Sequence, residues 1–120
     1  VHEGPQRISK PGGAFPGTET PLREGMILSN EPGYYKPGEF GIRIENLVLC
    51  VEAGKSEFGA FLQFETITLF PIDTSLVDKT ALTAREIQWL NDYHQQVFTE
   101  LAPLLDTAEI AWLRSKCQNI

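Results

Sequence analysis

The chain has 120 residues, 42% of them apolar and 22% charged, the make-up of a soluble globular domain with one core rather than two. Sixteen acidic against ten basic residues leave a net charge of −6, which argues against nucleic acid or an anionic lipid surface as a partner. No apolar run approaches the roughly 20 residues that cross a bilayer, and no basic-plus-apolar signal stretch opens the chain.

The first residues, Val1-His2-Glu3-Gly4-Pro5, include no initiator Met, so the chain is expected to be the C-terminal end of a longer polypeptide. Residues 1–25 are dense in Pro and Gly and read as loop, with Gln6–Ser9 as a short extended piece. Met26–Asn30 forms a first strand that Glu31-Pro32-Gly33 terminates. Lys36–Gly41 is expected as a broad loop, and Ile42–Val51 as the strongest strand. Its alternation sets Ile42, Ile44, Asn46, Val48 and Cys50 on one face and Arg43, Glu45, Leu47, Leu49 and Val51 on the other. With both faces largely apolar, the strand should be central and covered on both sides. Cys50 should therefore be reduced and buried; neither it nor Cys117 has metal or redox spacing. Ala53–Ser56 reads as a turn and Phe61–Phe70 as a third strand.

The texture changes at Pro71. Leu76-Val77-Asp78 reads as a helical turn. Thr83-Ala84-Arg85-Glu86 is a capping-box pattern that opens a helix. Ile87, Leu90, His94, Val97 and Leu101 recur on one face of it, and Pro103 ends it. Asp106-Thr107-Ala108-Glu109 opens a shorter helix with Ile110, Leu113 and Cys117 inward and Trp112 beside them. Strands first and helices after is an α+β pattern. The expected boundary divides residues 1–71 from a helical extension, 72–120.

Chemistry concentrates at two glutamates. A carboxylate inside an apolar strand needs a partner, because an isolated buried charge costs several kcal/mol or is neutralised. For Glu45 one partner is Arg43, two residues away on the same face, which would make a structural ion pair. The other is a hard divalent cation, for which carboxylate oxygens are natural ligands. Glu31 bears on the choice. The loop returns the chain so that the two glutamates come from adjacent strands, and converging carboxylates repel unless a proton or a metal lies between them. Two-metal hydrolytic sites use such a pair; an exposed Glu-Pro-Gly turn and a structural ion pair are the simpler reading of the residues alone.

Three blocks occur in a specific order: V-H-E-G-P-Q-R-I-S, then G-M-I-L-S-N-E-P-G-Y-Y, then F-G-I-R-I-E-N-L. Together they resemble the C-terminal half of the metal site in Xaa-Pro aminopeptidases, of the creatinase-like group with the pita-bread fold. The resemblance implies hydrolysis of the bond between an N-terminal residue and a following proline. It implies two divalent metal ions, manganese first, with zinc or cobalt as alternatives. Glu45 would bridge them. Glu31 would bind one and take an acid–base part. His2 would position substrate beside the metals, and Arg43 would hydrogen-bond within the site. The remaining ligands, two aspartates and a histidine, would lie upstream of Val1, so the 120 residues alone would be inactive and would not retain the metals. The tail F-E-T-I-T-L-F-P-I-D with L-T-A-R-E-I-Q-W-L-N-D-Y-H resembles the extension of the larger, cytosolic type, which implies a homodimer through this region and a cytoplasmic location. The alternatives are a prolidase-like dipeptidase and a non-catalytic dimerisation or binding module on the same fold.

Overall fold

The computed structural model describes residues 4–10 and 17–120, and within them five strands precede two helices. His2 lies outside the described residues. Gln6–Ser9 forms no strand. The chain divides into two compact units, one ending at Thr68 and the other Leu69–Ile120.

The first unit is built from β1 (Ile27–Asn30), β2 (Gly33–Lys36), β3 (Phe40–Arg43), β4 (Asn46–Ser56) and β5 (Gly59–Thr66). β1, β4 and β5 form an antiparallel sheet in that order, with β4 in the middle, and β2 and β3 form a separate two-stranded ribbon. The single strand expected over Ile42–Val51 is therefore two strands, interrupted at Ile44-Glu45. The reason lies across the ladder. Pro32 has no N–H to donate, so pairing lapses where β1 gives way to β2. The Ile44 N–H still reaches the Pro32 carbonyl at 3.2 Å, and both chains pass from one sheet to the other at the same level. Coverage on both faces is also corrected: Asn46, Val48 and Cys50 are buried, whereas Leu47 is exposed and Leu49 and Val51 are half-buried. Ile42 and Ile44 are exposed as well.

Two turns differ from expectation. The broad loop at Lys36–Gly41 is a tight turn, in which Lys36 pairs with Phe40 and the Glu39 N–H donates to the Lys36 carbonyl at 3.0 Å. Pro37 and Gly38 occupy its centre, and Gly38 has φ +76°, the value that favours glycine after proline in a type II turn. The turn expected at Ala53–Ser56 is strand. A bulge between Glu52 and Gly54 absorbs one residue, so β4 continues to Ser56, which pairs with Gly59 around Glu57-Phe58. β5 ends at Thr66 rather than Phe70.

In the second unit both helix starts fall where the capping boxes place them. α1 (Ala84–Leu101) has Thr83 as its N-cap, and α2 (Thr107–Lys116) has Asp106; each is closed reciprocally, by Glu86 and Glu109. α1 ends one residue before a 3-10 turn that contains Pro103. The helical turn expected at Leu76–Asp78 lies slightly later, at Lys79–Ala81, with Asp78 as its cap. Leu90, His94 and Val97 are buried as read, and Tyr93 joins them, its hydroxyl donating to the Phe70 carbonyl at 2.9 Å. Tyr93, Val97 and Leu113 make the core of this unit, with Leu69, Ile72, Phe98, Leu101, Leu105 and Cys117 against it. His94 is fully buried, and its Nε2 accepts from the Ile72 N–H at 3.1 Å, which ties α1 to the segment leading into it.

Candidate metal centre

Register decides which side chains meet. Asn30 stands opposite Asn46 on one side of the break, and Gly33 opposite Arg43 on the other. The count on both strands matches, so Glu31 falls directly opposite Glu45. Side chains at opposed antiparallel positions share a face, with Cβ atoms roughly 4.5–5.5 Å apart, and like charges there are destabilising. A cation between them relieves this. Arg43 supplies one: its Nη1 lies 3.4 Å from Glu31 Oε2 and its Nε 3.4 Å from Glu45 Oε2. The structural ion pair and the converging carboxylate pair are thus both present. They are one cluster.

The three side chains are one-third to one-half exposed. Ion pairs in such a setting contribute about 0–1 kcal/mol, too little to explain two glutamates facing each other across a strand pair. A further contact is made within β1 and its extension. The Ser29 hydroxyl donates to Glu31 Oε1 at 2.7 Å, so the two oxygens of Glu31 have different tasks: Oε1 is held by serine and Oε2 is turned to the cluster. Ser29 was not singled out from the sequence, although S-x-E in an extended segment puts both side chains on one face.

The same face continues into the ribbon. A Cβ on Gly33 would come within 2.7 Å of the Tyr35 hydroxyl, and one on Gly41 within 2.9 Å of the Tyr35 ring. The two glycines therefore clear a bed for this aromatic ring beside Arg43, since Gly33 is Arg43's partner across the ladder.

The resemblance implies two divalent ions at this site. Two carboxylates on one face, both already turned to a positive group, are the hard oxygen donors such cations take. They fit in kind. In number they are part of a shell: among the described residues no group of three or more His, Cys, Asp or Glu side chains converges.

Residues 1–52 match the profile described as metallopeptidase family M24, and residues 60–120 match the C-terminal region of peptidase_M24. A "Probable Xaa-Pro aminopeptidase P" of Coprinopsis cinerea is 46% identical over 100% of this chain and 20% of its own length. Aminopeptidase P2 of Arabidopsis thaliana is 50% identical over 88% of the chain and 15% of its own length. Among solved structures, an X-prolyl aminopeptidase of Caenorhabditis elegans, described as a cytosolic enzyme with a di-nuclear active site, superposes with a TM-score of 0.73 at 43% identity. It covers 82% of this chain and 17% of its own. The chain therefore spans a fifth or less of the relatives it matches, and corresponds to their C-terminal part in the α+β pita-bread fold. With both profiles and identity of 46% across all its residues, this chain belongs to metallopeptidase family M24.

Proposed function

We propose that the chain forms one wall of a two-metal aminopeptidase site that hydrolyses the bond between an N-terminal residue and a following proline. The observation that carries the reading is the unslipped register that sets Glu31 against Glu45 with Arg43 between them. The names of the relatives supply the reaction class. In this reading Glu45 and Glu31 would hold the ions, with Glu45 as the shared ligand. The ions, when bound, polarise the scissile carbonyl and stabilise the charge that develops on its oxygen. Manganese is the proposed metal, with zinc and cobalt as alternatives. Arg43 orients both carboxylates; Glu31 passes a proton between attacking water and leaving amine. His2 is assigned to the substrate side of the same site.

Residues 72–120 are proposed as an extension that makes homodimer contacts. Trp89, stacked on Tyr93 at 5.7 Å and about half exposed, is the type of aromatic side chain enriched in interfaces. A cytoplasmic location is proposed from the cytosolic relative.

The test is Glu45→Gln and Glu31→Gln in the full-length protein that carries this segment. Each should lower bound metal below two ions per chain by elemental analysis and slow cleavage of an Xaa-Pro peptide by more than about 100-fold, since altering even an outer-shell partner of a metal ligand costs 10–100-fold. Full metal content and full rate in Glu45→Gln would remove the ligand assignment. The Arg43 ion pairs favour one competing reading, a non-catalytic module in which they serve only the fold, and that outcome would support it.

A further inference from the structure

Glu31 has two oxygens and one of them is already committed. The terminal torsion of a glutamate is broad and roughly two-fold, so without a further contact the carboxylate of Glu31 would present either oxygen, at varying tilt, to the cluster. Ser29 removes that freedom. Residues i and i+2 of an extended chain lie about 6.6–6.8 Å apart on one face, a span that a serine hydroxyl and a glutamate carboxylate together close. The resulting bond, Oγ–H to Oε1 at 2.7 Å, has the usual length of a well-formed O–H···O hydrogen bond. Across the ladder Ser29 faces Leu47, which offers no polar side chain to compete for the hydroxyl. Oε2 is left to accept from Arg43 Nη1 at 3.4 Å.

We infer that Ser29 is a positioning residue for the metal site: it fixes the Glu31 carboxylate so that a single oxygen, Oε2, is offered to a divalent cation. The inference rests on the reading of Glu31 as a metal ligand. Ser29 itself touches neither cation nor substrate; it acts through Glu31. Ligating carboxylates held this way lose affinity when the outer partner is removed.

The experiment is calorimetric titration of the metal-free full-length protein with Mn2+ alone. Ser29→Ala should weaken Mn2+ binding by 10–100-fold and Ser29→Thr, which keeps the hydroxyl, by no more than about threefold, with thermal melting of the metal-free forms nearly unchanged. Should alanine disturb folding, Ser29→Thr and Ser29→Val replace it as a pair of equal size that differ in the hydroxyl alone, and threonine should bind Mn2+ at least tenfold tighter. Binding by Ser29→Ala at wild-type strength, or equal binding by the threonine and valine variants, would overturn the inference. Glu31→Gln and Glu45→Gln in the same titration separate the two levels. If they bind Mn2+ like the wild type, the ligand reading itself has failed; if they lose binding while Ser29→Ala keeps it, only the role of Ser29 has.

Discussion

The guanidinium of Arg43 reaches Glu31 and Glu45 through two different nitrogens, Nη1 and Nε, each at 3.4 Å. Only a planar fork can do this; a lysine offers one point charge. Because all three groups are partly exposed, the pairs should add little to folding. Arg43→Ala is expected to change the unfolding free energy by less than about 1 kcal/mol in urea titration, while Arg43→Lys in the full-length protein should still lower the rate of Xaa-Pro cleavage. A stability loss above about 2 kcal/mol would mark the cluster as a structural strut instead. Glu31 and Glu45 stood out in the sequence because carboxylates are misplaced among β-formers. Ser29 did not, because a serine in a strand is unremarkable until its hydroxyl is found 2.7 Å from a carboxylate.

Helices were the more legible elements because their start signals are local. Thr83 and Glu86 bond each other's backbone N–H groups, at 3.3 and 2.8 Å, and need no distant partner to do so. Thr83→Ala should cost about 1 kcal/mol, read by thermal melting followed at the helix band of circular dichroism. The Thr83 hydroxyl and then its backbone N–H hold the Glu86 carboxyl below its ordinary value. A carboxyl lowered in the folded state stabilises fully above its unfolded value and loses that contribution as pH falls through the folded one. Acidification below about pH 4.5 should therefore loosen the first turn of α1, and Glu86→Gln should flatten that part of the pH profile. Asp73 and Asp78 act with the same sign, lowered by hydrogen bonds from Ser75 and Thr80. Strands were less legible. Residues 42–51 are continuous β-formers, and the interruption at Ile44-Glu45 comes from Pro32, ten or more residues away on the opposing strand.

For the whole molecule, the partial donor set leads to a direct expectation. The 120 residues expressed alone should bind no Mn2+ tightly enough to survive dialysis and should not cleave an Xaa-Pro peptide, because two carboxylates leave most of two coordination shells unfilled. Manganese-dependent cleavage by the isolated chain would refute this. The sequence by itself determined that strands precede helices, both helix caps, the inward face of α1 and the two glutamates on which the proposed site rests, all of them properties of neighbouring residues or of a short period. Only the tertiary structure decided that Glu31 and Glu45 stand directly opposite, that one arginine spans them and that the Ser29 hydroxyl bonds the first. Those facts follow from register between strands, and register depends on a proline and a turn that no single strand contains.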